Sequence, residues 1–144
     1  MNLSEHFTLE ELCFSDTAVR NGIDNIAPVH LHGNLSRLCV LLEQVRKIIG
    51  KPIRITSGYR SPNLNTLVRG QTSSQHLVGC AADIQISGMT PDEVCRAIIA
   101  SDIQFDQLIR EFDSWTHISV PNQEGSTPRG QSLIIDKTGT RPFA

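Results

Sequence analysis

The sequence contains no long apolar run and no strong excess of charge of either sign. Its formal net charge is -2 at pH 7, with opposite charges mixed along the chain, so general affinity for nucleic acid or anionic membranes is not expected. No apolar stretch approaches the roughly 20 residues that span a bilayer. The first residues also lack the basic and apolar regions of a secretory signal peptide. We therefore expect synthesis in the cytoplasm without an export signal and no integral membrane segment.

The chain also lacks closely paired cysteines. Its four cysteines, Cys13, Cys39, Cys80 and Cys95, are widely spaced and form no C-x-x-C pair, which indicates reduced, mostly buried thiols. The composition, 39% hydrophobic and 19% charged over 144 residues, predicts one compact domain. We place its core at about residues 5–121. Residues 122–144 form a polar tail, with SLIID as a candidate edge strand, and we assign the tail no chemistry.

Capping signals and hydrophobic periodicity predict an α+β fold. Apolar residues recur every three or four positions from Asn34 to Gly50, which predicts the main core helix with Asn34 as its cap. Thr8 and Thr90 are each followed three residues later by glutamate, the pattern of a capping box. Four segments are typical of strands: IRIT, AADIQI, FDQLIREF and WTHISV. We expect a small antiparallel sheet with flanking helices.

The stretch SSQHLVGCAAD, residues 73–83, places an imidazole and a carboxylate seven positions apart. Asp83 falls within an alternating apolar strand, where a carboxylate needs a partner or a metal ion. With His117 in the downstream WTHIS segment, His76 and Asp83 predict three ligands of one zinc ion. Three His and Asp ligands that leave a position open are typical of catalytic zinc. The alternative is a chance match, because this spacing alone is common.

The remaining histidines are poor candidates for metal ligands. His30 and His32 lie two positions apart and share a face only in a strand, but Gly33 and Asn34 end any strand there. We interpret both, and also His6, as solvated side chains.

Two more groups are suited to chemistry beside such a metal. Arg60 follows a predicted strand, in the loop SGYRSPNLN, and its guanidinium can bind a carboxylate or a peptide carbonyl through paired donors. The alternative for Arg60 is a surface ion pair. Glu111 and Asp113 are the acids near His117, and one of them would serve as general base.

The length of the predicted hairpin loop decides where Glu111 lies. A two-residue turn at Asp113-Ser114 would pair Arg110 with His117 and put Glu111 on the opposite face of the sheet. A three-residue loop at 112–114 would instead put Glu111 and His117 on one face. The metal-site hypothesis therefore predicts an odd-length loop or a bulge.

Three motifs together resemble a known family. SGYRSP, SSQHLVGCAAD and EFDSWTHIS are similar to motifs of the zinc D-alanyl-D-alanine carboxypeptidases. This family of murein peptidases includes phage endolysins and shares its fold with the hedgehog signalling domain. The resemblance extends from HFTLEEL to WTHIS and therefore covers most of the chain, while the last twenty or so residues add little.

The resemblance implies a role for each matched residue. His76, Asp83 and His117 would bind one Zn²⁺, and Arg60 would bind and polarise the substrate. The residues implied to contact the substrate are Ser74, Gln75 and Trp115. One branch of the family places its base three positions before the last histidine, where this chain has Ser114, and another branch places it six before, which matches Glu111. We take Glu111 as the general base and Asp113 as the reserve.

The implied activity is zinc-dependent hydrolysis of a peptide bond beside a D-amino acid in a peptidoglycan stem peptide. Either a D,D-carboxypeptidase or a murein endopeptidase fits, and one arginine does not decide between them. We expect a monomer that reaches the cell wall after phage-mediated release or on a virion. The alternatives are a zinc-stabilised binding domain without turnover and a vestigial phage structural module.

Overall fold

Four short helices form where the sequence offers side-chain caps. The computed structural model describes residues 1–143. Each cap is a hydroxyl that accepts a hydrogen bond from the third residue of its helix, and Thr8 and Thr90 complete the predicted capping boxes. These helices are α1 (Leu9–Cys13), α2 (Asp16–Arg20), α4 (Pro62–Leu67) and α5 (Pro91–Ile99).

The long helix α3 (His32–Ile49) begins two residues before the predicted cap. A 3₁₀ turn, Val29–Leu31, leads directly into it, so Asn34 lies inside the first turn. The Asn34 side chain donates instead to the Val78 carbonyl at 2.9 Å. The helix ends at Gly50, which has a φ of 75° as predicted, because this left-handed conformation favours glycine.

Six strands within residues 1–143 form one mixed sheet. In chain order they are β1 (Arg54–Ser57), β2 (Ala81–Gln85), β3 (Gln107–Glu111), β4 (Trp115–Ser119), β5 (Gln131–Asp136) and β6 (Gly139–Pro142). Their order across the sheet is β1-β2-β4-β3-β5-β6. The α+β class is confirmed.

The predicted antiparallel sheet differs from the structure at one pairing. β5 runs parallel to β3, whereas the other neighbours are antiparallel. The SLIID segment forms part of β5, but it is not the edge strand, because β6 pairs with its outer side. The chain that links β4 to β5 is long enough to return β5 alongside β3 in the parallel sense.

The two faces of the sheet have different surroundings. One face contributes Ala82, Ile84, Leu108 and Ile118 to the apolar core, where buried residues of α3 and α5 pack. Cys39, Cys80 and Cys95 are buried and Cys13 is partly buried, all as free thiols. None of the helices in the described part of the chain is long and apolar enough to cross a membrane. Because side chains alternate along a strand, Asp83 and His117 lie on the opposite face from the core.

Candidate active site

Strand register brings the predicted polar residues into one row on that face. Asp83 pairs directly with His117 across β2 and β4, and His117 pairs with Ile109 of β3. On the other side, Ser57 of β1 pairs with Asp83 after an irregularity in the strand. Directly opposed residues in an antiparallel sheet share a face, so the row fixes Asp83 beside His117 through backbone pairing.

The hairpin between β3 and β4 has a three-residue loop. Glu111 pairs with Trp115, which leaves 112–114 as the loop. Phe112 and Asp113 adopt left-handed φ values of 53° and 51°, a conformation that is uncommon for residues other than glycine. This register places Glu111 on the same face as His117, which is the arrangement that the metal-site hypothesis requires.

His76 reaches the row from a short 3₁₀ turn, Gln75–Val78. The Ser74 hydroxyl caps the turn, and Gly79 ends it at a φ of 74°. His76 Nδ1 lies 2.7 Å from the Gly58 carbonyl oxygen, so Nδ1 carries the proton and donates it. The other nitrogen, Nε2, therefore keeps its lone pair for a metal ion.

The three predicted ligands, His76, Asp83 and His117, converge in a buried cluster that we call the metal group. One ligand atom from each of His76, Asp83 and His117 lies within 4.8 Å of the other two. His76 Nε2 and His117 Nδ1 lie 3.4 Å and 3.0 Å from Asp83 Oδ1. Ligand atoms about 2.0–2.2 Å from a tetrahedral zinc ion lie roughly 3.3–3.6 Å apart. The donor set and the distance between His76 and Asp83 therefore fit zinc, whereas the shorter distance between His117 and Asp83 is that of a direct hydrogen bond.

Asp83 is held in its charged form. Burial alone would raise its pKa, but the neighbouring imidazoles of His76 and His117 lower the pKa of the Asp83 carboxyl well below its usual range. Arg60 Nη2 also lies 3.6 Å from Asp83 Oδ2. A buried carboxylate that stays ionised among histidines is a suitable metal ligand.

Arg60 is oriented by neutral partners on two sides. Its Nη1 donates to Asn65 Oδ1 at 3.2 Å, and its Nε lies 3.4 Å from the Ser57 hydroxyl. The side chain is 17% exposed and lines the same cleft as the three predicted ligands. Arg60 is therefore fixed beside the metal group rather than extended into solvent.

Glu111 lies beside the group without belonging to it. Its Oε1 is 3.9 Å from His117 Nδ1. Burial, reinforced by the negative charge of Asp83, raises the pKa of the Glu111 carboxyl. Asp113, the reserve base, is 72% exposed and pairs with Arg110 at 3.1 Å, and the cleft lining does not include it.

The group lies between two clefts. The β3-side cleft has a volume of about 360 Å³ and is lined by Ser74, Gln75, Glu111 and other residues. The β1-side cleft, of about 690 Å³, is lined by residues of β1 and by Phe14 and Leu64, among others. Arg60, Asp83 and Trp115 line both clefts. The metal group is therefore accessible from two sides.

Trp115 and Gln75 each have a buried polar atom that finds no hydrogen-bond partner within residues 1–143. These atoms are the indole Nε1 of Trp115 and Oε1 of Gln75. Burial of an unpaired polar group is unfavourable, and both side chains line the β3-side cleft. The Trp115 side chain nevertheless lies close to Glu111, whose pKa it lowers against the raising effect of burial.

Three residues that support the site were not singled out by the sequence. Buried Asn25 accepts a hydrogen bond from the Ser61 backbone N–H at 2.7 Å and donates to the Tyr59 carbonyl at 2.9 Å, which holds the loop around Arg60. Asp106 and Arg129 form a salt bridge at 2.7 Å, and Arg129 lines the β3-side cleft. Asn25 lies within the stretch that the resemblance covers, whereas Arg129 lies beyond it and carried no signal in the sequence.

Comparison with known proteins agrees with this geometry. No curated protein matches the chain. The model of one family, described as peptidase M15, matches residues 5–119, a range that includes every residue of the metal group and Glu111. The resemblance to the zinc D-alanyl-D-alanine carboxypeptidases is confirmed, and the chain belongs to the peptidase M15 family.

Proposed function

We propose that this protein hydrolyses a peptide bond in peptidoglycan stem peptides with the help of one zinc ion. The observation that carries the proposal is the position of Glu111, whose carboxylate lies 3.9 Å from His117 in a cleft that His76 and Asp83 also line. A general base beside an open metal position is what hydrolysis requires. A domain that only binds a partner has no need for this carboxylate.

The metal ligands, Glu111 and Arg60 each have a separate role in the proposed reaction. His76, Asp83 and His117 would hold the zinc ion, which would supply a Lewis acid for activation of water and polarisation of the scissile carbonyl. Glu111 accepts a proton from the attacking water and then donates it to the leaving amine. Arg60 donates hydrogen bonds to the oxygen on which negative charge develops.

The two clefts favour cleavage within a chain over removal of a terminal residue. An endopeptidase must accommodate substrate residues on both sides of the scissile bond. The β3-side and β1-side clefts meet at Arg60, Asp83 and Trp115, so a peptide that crosses the metal group would enter both. We therefore propose murein endopeptidase activity, with D,D-carboxypeptidase activity as the alternative within the same family.

The test is mass spectrometry of muropeptides incubated with the purified protein. We expect products with added zinc, none with a chelator, and at least about 10²-fold less product from Glu111→Gln, the scale of general base catalysis. Asp113→Asn is the matched control, because Asp113 is an exposed acid of the same hairpin, and it should retain activity.

The products also identify the bond. Cleavage of a stem peptide whose terminal carboxyl is blocked supports an endopeptidase, whereas loss of only a terminal D-alanine from free-acid peptides supports a carboxypeptidase. A protein that binds one zinc ion per chain and yields no product from any muropeptide would contradict the proposed hydrolysis.

A further inference from the structure

The segment after β4 lies outside the family match but contributes a charged group to the cleft. The match ends at residue 119. Arg129, in the loop before β5, lines the β3-side cleft together with His76, Glu111 and His117. It does not line the β1-side cleft. The guanidinium therefore belongs to one side of the metal group only.

Asp106 holds Arg129 in place. Arg129 donates to Asp106 Oδ2 from Nε at 3.1 Å and from Nη2 at 2.7 Å, and its backbone N–H donates to Oδ1 at 3.0 Å. Asp106 is 4% exposed, and its Oδ2 also accepts from Gln75 Nε2 at 3.1 Å. A side chain that is already ordered loses less conformational entropy when it binds a ligand.

The contacts with Asp106 use only one edge of the guanidinium. Nε and one Nη2 hydrogen point at the carboxylate, which leaves the other Nη2 hydrogen and both Nη1 hydrogens. In the structure of residues 1–143, Nη1 donates to no protein group, and the Arg129 side chain is 54% exposed. The remaining edge carries two parallel donors, which match the two oxygens of a carboxylate.

We propose that Arg129 is a specificity-determining residue that binds a carboxylate of the substrate on the β3 side of the scissile bond. Asp106 and Gln75 act as its positioning residues. This inference rests on the proposed peptidase function. The carboxylate is either the terminal carboxyl of the peptide or a free carboxyl within it, since the guanidinium edge binds both in the same way.

The chain offers a matched control for Arg129. Arg141 lies in β6, is 44% exposed and pairs with Asp136 at 2.9 Å, so it also forms an ion pair with an aspartate of the tail, although Asp136 is less buried than Asp106. It lines neither of the two clefts. Arg141→Gln should therefore report on loss of a tail arginine without loss of a group in the cleft.

The test combines these variants with three versions of one synthetic stem peptide: the free acid, the terminal amide, and the peptide in which only the internal carboxyl is amidated. For wild type and Arg141→Gln, one of the two amides should lower kcat/KM by roughly 10-fold to 100-fold, the range for a hydrogen bond to a charged group. Which amide does so identifies the carboxylate. On the free acid, Arg129→Gln should have a kcat/KM lower than that of wild type by the same factor, mostly through a higher KM. Its kcat/KM should be similar for all three peptides.

Two further readouts separate this inference from the proposed function. Zinc content of Arg129→Gln should match that of Arg141→Gln. The thermal stability of Arg129→Gln should be lower, because it leaves buried Asp106 without its ion pair, so kinetics are compared at a temperature at which both variants are folded. Binding of the three peptides to zinc-loaded Glu111→Gln, measured by calorimetry, should follow the same order without turnover. If wild type binds the peptides in this order but cleaves none, the proposed hydrolysis is wrong and the role of Arg129 stands. If wild type cleaves all three peptides equally, the role of Arg129 is overturned. It is also overturned if Arg129→Gln lowers kcat/KM relative to wild type by the same factor on all three peptides.

Discussion

The orientation of the His76 side chain depends on a hydrogen bond to a distant part of the backbone. Its Nε2 can face Asp83 because Nδ1 donates to the Gly58 carbonyl. Gly58 itself is constrained, since a Cβ there would overlap the backbone carbonyl of Leu12. The orientation of a predicted ligand thus depends on a backbone contact between Gly58 and α1, as is common for the outer shell of metal sites.

Replacing His76 should remove the metal. We expect His76→Ala to bind less than one tenth of an equivalent of zinc and to lose activity with it, because two side chains seldom hold catalytic zinc (about three are typical). Metal analysis after dialysis measures this directly. His30→Ala, at an exposed histidine, should keep the full equivalent. Full zinc content in the His76 variant would mean that the ion binds elsewhere.

Replacing Arg60 should affect the reaction and leave the metal bound. Arg60→Ala removes a donor to the developing oxyanion, and loss of such a donor typically lowers kcat by about 10²-fold to 10³-fold. Zinc content should be unchanged, because Arg60 lies 3.6 Å from Asp83 but offers no ligand atom. Steady-state kinetics and metal analysis on one sample distinguish the two roles, and loss of zinc would make the arginine structural.

At the scale of elements, the turn from the 3₁₀ segment Gln75–Val78 into β2 sets the distance between His76 and Asp83. Gly79 ends this turn with φ 74° and ψ 22°. A Cβ at Gly79 would lie 3.0 Å from Leu35 Cγ, so α3 packs directly against the turn. Conformation and packing both favour glycine there.

A comparison of Gly79 with Gly50 separates the effect of the left-handed backbone conformation from the effect of packing against Leu35. Gly50 has φ 75° and ψ 22°, almost the same conformation, but a Cβ there would meet nothing within 4 Å. Gly50→Ala should lower the free energy of unfolding by about 1–2 kcal/mol, the cost of a left-handed L-residue. Gly79→Ala should lower it by roughly 1–3 kcal/mol more through overpacking against Leu35. Chemical denaturation measures both free energies of unfolding. Equal decreases in the two variants would show that Leu35 moves to accept the added methyl group without destabilising the fold.

At the scale of the whole molecule, Asp106 joins the tail to the body of the domain. Its carboxylate binds Arg129 and Gln75, and its backbone carbonyl accepts from the Gln131 N–H at 3.0 Å. The buried acid thus connects the start of β5 with the segment that carries His76. We expect the stability of the complete fold, rather than of the tail alone, to depend on its charge.

The Asp106 carboxyl should make stability depend on pH in the acid range. Burial raises its pKa, but Arg129, through its side chain and backbone N–H, holds the pKa of Asp106 below its usual range. Because the folded pKa is lower than the unfolded value of about 3.9, the contribution is complete above that pH and is lost as the pH falls through the folded pKa. Wild type should therefore lose more unfolding free energy between about pH 5 and pH 2 than Asp106→Asn.

Denaturation curves at several pH values measure this difference. Asp102→Asn, at an exposed position, is the control and should follow the wild-type slope. An Asp106→Asn variant with the same acid slope as wild type would mean that the ion pair with Arg129 does not contribute to stability.

The sequence by itself determined the local features of this protein. The capping boxes at Thr8 and Thr90, the left-handed end of α3 at Gly50 and the strand around Asp83 all follow from patterns that span a few residues. The residue types of the metal group were likewise readable, because imidazole and carboxylate in such motifs suit zinc. His117, which lies 34 positions beyond Asp83, was predicted as the third ligand from its residue type, and the resemblance then supported it.

Only the tertiary structure decided which side chains share the cleft. The sequence allowed two lengths for the hairpin loop, and the pairing of Glu111 with Trp115 selected one of them. The tail was predicted to have no chemistry, but the parallel pairing of β5 with β3 and the Asp106 salt bridge bring Arg129 into the lining of the β3-side cleft. Strand register and contacts between distant residues depend on the packing of the complete sheet, and local patterns do not encode that packing.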